Sequence, residues 1–413
     1  MRTSHDPWII APTRLVSADP DVVRAPPRAV GDREPGYLEK YDATTVFYDV
    51  FRCGRAVLAV GPPAGTLRPE IKAMRVGAPG FPAHGFHIDH GLDRVGRFRA
   101  PIPGTARADT AFVHSRLAPA PLRVGDDLAP RLRGLRAVMT VSKNNDLEWI
   151  TEWGHWHAQH HGADALVVYD NDSTAYSSDE LWEALASVPG VKVAAVVQWP
   201  FPYGPVTRLQ RFWDSDYAQR GALEHARWRL LREAAGFLNA DIDELVLDAD
   251  RRSVFDLTAQ TPNGVLELPG RYTYPAPGTP RGDRPVHAES YWVKTFPPEM
   301  PSASKWCVVP ARVPRTAQLS VHSVRGVRMT KVEGVRFAHL LKITTDWYGA
   351  RSEFHVVPEQ YEIDELLLAR HEDRDDVPSA RTSPPRRSRF LAALRDRTIG
   401  WAWRWKIRLG ARG

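Results

Sequence analysis

Between Arg136 and Leu247, short apolar runs alternate with segments of helical periodicity, and this alternation restricts the fold more than any other feature of the chain. Arg136–Val141 is a short apolar strand. Asp146–His161 has helical spacing and sets Trp149, Trp153, Trp156 and His160 on one face. Ala165–Tyr169 is a continuous apolar strand, and Ser177–Val188 opens with Ser-Ser-Asp-Glu, a helix-start signal. Val191–Val197 is again a strand, and Arg208–Ala235 carries a long helical pattern. Gly236–Ala240 then enters Asp241-Ile242-Asp243-Glu244, followed by the apolar Leu245–Leu247. Strands alternating with helices predict an α/β fold with a mainly parallel sheet. Ligands in such folds sit beyond the carboxyl ends of the strands.

The flanks read differently. Residues 1–35 are rich in proline, arginine and aspartate, lack periodicity and predict a loose arm. Residues 36–130 hold short apolar runs such as Thr45–Val50 and Ala56–Val60, cut by Gly and Pro, which predicts a β-rich accessory domain. The α/β domain is expected over 131–370, with further strands at Val265–Leu268, Trp306–Val309, Leu319–His322 and Val335–Ile343. Pro275–Pro285 reads as a surface loop. Residues 371–388 form a charged, Pro-containing linker, and 389–413 a basic amphipathic segment.

Charge is unevenly spread. The chain of 413 residues has a net charge of +6, yet the stretch from Arg381 onward carries +9 and the rest −3. The body is therefore no polyanion binder, and no nucleic-acid partner is expected. Leu391, Leu394, Thr398, Trp401, Trp405 and Leu409 fall near one helical face, with arginines between them. That pattern suits a helix lying on an anionic membrane, and equally a terminal helix packed on the body. There is no run of about 18 apolar residues to span a membrane, and Met1 to Pro12 offers no secretory signal. Cys53 and Cys307 lie too far apart in sequence for a disulfide framework, so a reducing compartment is expected. The expected location is the cytoplasm, with peripheral contact at the inner face of the cell membrane through 389–413.

The chemistry centres on Asp241 and Asp243. Two carboxylates two residues apart at the end of an apolar strand can approach one hard cation, Mn²⁺ or Mg²⁺, whose open positions suit phosphate oxygens. A lone Asp-x-Asp is also an ordinary acidic turn, and the α/β pattern ahead of it is what favours a site. Other histidines compete. His157 and His161 share a helical face, as two zinc ligands would, but no HExxH is present and packing is the favoured reading. His84, His87 and His90 fit a solvated loop better than a metal site. Gly-x-Ser-x-Gly, P-loop and Gly-x-Gly-x-x-Gly motifs are absent, against hydrolase, phosphate-loop and dinucleotide readings.

Ser142-Lys143-Asn144-Asn145, Glu152-Trp153 with His157, Gly162, Tyr169-Asp170-Asn171-Asp172-Ser173 and the Asp241–Leu245 block follow one another in an order and spacing that resembles the family-92 glycosyltransferases and related bacterial family-2-like glycosyltransferases. Looser likeness runs through Ser304-Lys305-Trp306 and His322 to His339 and Trp347, so it covers about half the chain. The resemblance implies a GT-A-type nucleotide-sugar-binding domain. It implies donor contacts from Lys143, Asn144, Asp170, Asn171 and Ser173, and a metal site of Asp241, Asp243 and His339. Two positions depart from the pattern. Asn145 replaces a usual Glu, and Ala175 or Tyr176 stands where an acid often follows Ser173.

The expected function is transfer of a sugar from a nucleotide-sugar donor to a glycan, a lipid-linked acceptor or a cell-surface polymer, as in bacterial polysaccharide biosynthesis, with Mn²⁺ or Mg²⁺ as cofactor. The competing expectation is a non-catalytic carbohydrate-binding or scaffold protein on a degenerate transferase fold, which the two departures motivate. An inverting reaction needs a carboxylate base; Glu244, Glu267, Glu289 and Asp346 are unranked candidates.

Overall fold

The computed structural model describes residues 6–104, 110–205, 214–275, 287–295, 301–345 and 356–373. The chain divides into two units, Met1–Leu368 and Ala369–Gly413. The segment 389–413, most of the linker 371–388 and nearly all of Pro275–Pro285 lie outside the described residues.

The first unit is built on a ten-stranded sheet. Its strands run in the order Ile9–Ile10, Val193–Gln198, Ala165–Asp170, Arg136–Ser142, Gly236–Asn239, Ser302–Val308, Val265–Thr273, Val335–Leu340 and Glu244–Asp248, with Thr330–Lys331 added beside Val265–Thr273. The first five are all parallel. Beyond Gly236–Asn239, antiparallel pairs interleave with parallel ones. The sheet is thus mixed and mainly parallel.

Strand side chains alternate between two faces, and both faces are covered. Val138, Leu166, Val168, Val196 and Leu238 enter one core together with Trp149, Trp153 and Trp156 of the helix Leu147–His161. That helix stops at Gly162, whose φ of 68° is a left-handed cap that a side chain would strain. The next helix, Ser178–Ala186, starts from a complete capping box between Ser177 and Glu180. Met139, Val167, Tyr169, Val197 and Phe237 enter the other core. It is closed by the helix Tyr217–His225, which runs into the π-helical turn Ala226–Leu230. Gly221 of that helix meets Tyr48 so closely that a Cβ would lie 2.4 Å from the ring.

Three expectations need correction. The arm over 1–35 is not loose in its described part. Ile9–Ile10 pairs with Val196 and Val197 and covers the edge of the parallel sheet. Buried Arg24 donates to the carbonyls of Pro63, Asp42 and Thr45 at 2.7, 2.9 and 2.8 Å. A two-residue strand has no periodicity to read, so its partner decides it. Residues 36–130 are mostly β, with small antiparallel sheets such as Asp49–Cys53, Ala56–Gly61, Gly96–Pro101 and His87–Ile88. They have a core of their own around Phe47, Val57 and Phe98. Yet Tyr48, Phe51, Leu58 and Val60 share the core that holds Met139 and Trp199, so the segment is not a body apart. Finally, Leu319–His322 is not one strand: Gln318–Ser320 and Ser323–Arg325 form a hairpin, and Val321 and His322 are its turn.

Candidate functional site

Two loops meet at the carboxyl ends of the strands Arg136–Ser142 and Ala165–Asp170. Asn144 and Asp172 turn them through left-handed backbone, with φ of 54° and 63°. The loops are tied together by their own side chains. The Asn144 amide donates to Ser173 Oγ at 2.9 Å, and Asn144 Oδ1 accepts from the amides of Thr174 and Ala175 at 2.7 and 3.1 Å. Asn171 Nδ2 donates to the carbonyls of Trp199 and Phe201 at 2.8 and 2.9 Å. Asp170 Oδ1 accepts from the Ser173 amide at 3.2 Å, and burial raises its pKa. Asn144, Asn171 and Ser173 therefore shape the loops. Lys143 is exposed between them, and its charge is felt by Asp170.

The third element is the acidic turn. The strand Gly236–Asn239 ends at Ala240, and the chain reverses through Asp241–Asp243 with the Glu244 amide donating to the Asp241 carbonyl at 3.0 Å. Glu244 lies in register opposite His339, and His339 opposite Tyr272, whose ring centroid is 4.8 Å away. His339 Nε2 is 3.1 Å from Asp243 Oδ2, and its Nδ1 is 2.9 Å from Ser302 Oγ. Ligand atoms of Asp243, Glu244 and His339 all lie within 4.8 Å of one another.

Asp241 is placed differently from its partner in the motif. Lys305, buried, sets its ammonium 2.6 Å from Asp241 Oδ2 and 3.1 Å from Glu244 Oε2. Burial opposes the charge on Lys305, but the two carboxylates prevail and raise its pKa. Burial pushes the Glu244 carboxyl up to about 7, with Asp241 and Asp243 acting the same way and Lys305 against. Two carboxylates and an imidazole make a donor set of oxygen and nitrogen that fits Mn²⁺ or Mg²⁺, so these residues could hold such an ion.

A support for the turn was invisible in the sequence. His287 Nε2 is 2.8 Å from the carbonyl of Ile242, the residue between the two aspartates. Its Nδ1 and its amide lie 3.0 and 3.1 Å from Glu152 Oε2. Glu152 comes from the tryptophan-rich helix, so the helix holds the turn through His287. The Glu-Trp pair at 152–153 was a signal for a role, but its partner lies 135 residues away.

The remaining candidates separate. Glu267 accepts from Ser304 Oγ at 2.9 Å and faces Lys331 at 3.4 Å. It pairs in register with Trp306, and alternation puts it on the sheet face opposite Lys305. Glu289 lies in the 3₁₀ turn His287–Glu289, and the structure does not bring it into the Asp243–Glu244–His339 group. Asp346 and Trp347 lie outside the described residues. His161 spends both ring nitrogens, Nε2 on the Val246 carbonyl at 2.8 Å and Nδ1 on the Val254 amide at 3.2 Å. Burial pushes His157 down to about 3, so it packs as a neutral ring.

No family model matches the chain. No curated protein matches it. Among solved structures, the apo structure of the WbbM bifunctional glycosyltransferase aligns with 33% of this chain and 23% of its own, at 15% identity and a TM-score of 0.22. The match thus spans about a quarter of that protein's length, and a superposition this shallow carries no argument for function. Among the described residues, no helix is long and apolar enough to cross a membrane.

Proposed function

We propose that the chain is a metal-dependent glycosyltransferase of GT-A type that moves a sugar from a nucleotide-sugar donor to a glycan or cell-surface polymer acceptor. The observation that carries this reading is the group of Asp243, Glu244 and His339 on the same sheet as the two loops of Lys143–Asn145 and Asn171–Ala175. Asp243, Glu244 and His339 would hold Mn²⁺ or Mg²⁺, with Asp241 kept in place by Lys305. The ion would offset charge on the departing nucleotide diphosphate. Lys143 would add a second positive charge from the first loop. Asp170, Asn144, Asn171 and Ser173 would keep the donor side rigid, since their hydrogen bonds fix the two loops before a donor arrives. Glu152 and His287 would keep Ile242, and with it the spacing of Asp241 and Asp243, unchanged through the reaction.

The test is a panel of nucleotide sugars on the purified chain with and without Mn²⁺, read by thermal unfolding. A donor at 100 times its dissociation constant should add about 2.7 kcal/mol of stability, and only with metal present. If no donor stabilises the chain in either condition, the reading fails and a non-catalytic carbohydrate-binding or scaffold role takes its place.

We also propose peripheral contact with an anionic membrane through residues 389–413, where lipid-linked acceptors would be found. The supporting feature is the +9 charge from Arg381 onward together with Trp401, Trp403 and Trp405. Sedimentation with anionic vesicles at low salt should be lost on truncation after Ala380, and equal sedimentation of both chains would exclude it.

A further inference from the structure

His322 takes no part in the site as built so far. It sits in the turn between Gln318–Ser320 and Ser323–Arg325, and that turn is held at two points. Asn239 Nδ2 donates to the Val321 carbonyl at 2.9 Å, and Trp306 Nε1 donates to the Ser320 carbonyl at 2.6 Å. Asn239 lies two residues before Asp241, and Trp306 directly follows Lys305. The hairpin is therefore fastened to the two strands that supply the acidic turn and its buried cation.

The ring is held as well. His322 Nδ1 is 3.2 Å from the Ser304 carbonyl oxygen. A carbonyl oxygen only accepts, so Nδ1 carries the proton and, in the neutral ring, Nε2 carries a lone pair. Among the described residues Nε2 has no hydrogen-bond partner, and the residue is exposed. The charged and titratable groups that act on the ring are Lys305, Asp241 and His339. Packing and the Lys305 cation both disfavour the imidazolium and hold the pKa below the ordinary histidine value, which Asp241 only partly counters.

We propose that His322 is the general base of an inverting transfer, accepting at Nε2 the proton of the attacking acceptor hydroxyl. This rests on the glycosyltransferase reading above. The acceptor O–H bond breaks and its proton goes to Nε2. The acceptor oxygen forms the new bond to the anomeric carbon. The bond from that carbon to the diphosphate breaks, and its electron pair leaves on the diphosphate oxygen. The carboxylate candidates are less suited. Glu244 is buried against Lys305, and Glu267 is engaged by Ser304 and Lys331.

Three measurements on the full chain separate this proposal from the reading it rests on. Nitrogen-15 NMR of histidine-labelled protein, with the His322 signals identified by their loss in His322→Gln, should show a neutral ring protonated at Nδ1 at pH 7. A ring protonated at Nε2, or an imidazolium, overturns the proposal without any activity being measured. Binding of nucleotide sugars with Mn²⁺ should be the same in His322→Gln as in the parent chain, whereas absence of binding in both removes the transferase reading and the proposal with it. Hydrolysis of the bound donor, with water as acceptor, should lose about 10²- to 10⁴-fold in kcat in His322→Gln, with KM unchanged and the acid limb of the pH profile gone. An unchanged kcat, or a loss confined to KM, leaves the transferase reading standing and makes His322 a structural or donor-binding residue.

Discussion

Among the described residues, the groups of carboxylate, imidazole and cation around Asp49 and at the acidic turn differ in how fully they answer one another. Around Asp49 every partner is supplied. Its Oδ2 meets His225 Nε2 at 2.7 Å and the Arg229 guanidinium, and its Oδ1 accepts from the amides of Thr13 and Val50 at 2.7 and 2.8 Å. His225 Nδ1 in turn meets the Tyr169 hydroxyl at 2.6 Å. These groups come from the N-terminal arm, the β-rich segment, a parallel strand and a helix, and both the Asp49 and His225 side chains have 0% exposure. At the acidic turn, Asp241 and Glu244 meet the buried Lys305, and Asp243 and Glu244 lie beside His339. There Asp241, Asp243 and His339 keep 33, 15 and 14% of their side-chain surface. A closed set of buried charges is architecture, and breaking it exposes an unpaired charge to low dielectric. A half-open set with surplus negative charge favours an added cation. The difference therefore distinguishes a part of the molecule that holds it together from the part proposed above to hold an ion.

The largest expected effect is on the closed set. Asp49→Ala should destabilise the chain by about 3–5 kcal/mol, because buried Arg229 loses its carboxylate. Urea unfolding would measure it, and a loss under about 1 kcal/mol would show that the network is incidental. Acid should attack the same place. The Arg229 and His225 partners overcome burial and hold Asp49 below the usual carboxylate range, so its contribution is complete above that range and is lost as pH falls through the depressed value. Burial lowers the pKa of His225, which favours the neutral ring in the fold, so protonation of the unfolded chain below about 6.5 adds to the loss. Stability that does not fall with acid over that span would contradict both.

At the open set the expected pattern reverses. Asp243→Ala should remove the stabilisation that Mn²⁺ with donor supplies, about 2.7 kcal/mol at 100 times the dissociation constant, while unfolding without metal stays close to the parent. A variant that keeps the full metal-dependent shift would take Asp243 out of the ligand set. Smaller again is the effect of the supporting pair. Glu152→Gln should weaken Mn²⁺ affinity about 10- to 100-fold through His287 and Ile242, measured by calorimetry. Unchanged affinity would mean that the Glu152–His287 contact does no more than close the interface between helix and turn.

Local pattern decided a definite part of this protein. Ala165–Asp170 is apolar on both faces, so it had to be a central strand, and Ser177 with Glu180 had to open a helix. Asp241 and Asp243 could be singled out because they follow an apolar strand at short range. Periodicity and capping act within a turn or two of chain, and such features can be read wherever they occur. What the tertiary structure decided depends on contacts across long separations. Asp241 and Asp243 are equivalent in the motif, yet Lys305 turns toward one and His339 toward the other, 64 and 96 residues away. The arm over 1–35 has no pattern of its own, and Ile9–Ile10 becomes a strand only because the edge of Val193–Gln198 offers hydrogen bonds. Glu152 and His287 likewise meet only once the helix lies on the sheet. Charge balance among distant side chains separates a site from a brace, and no spacing within the sequence encodes it.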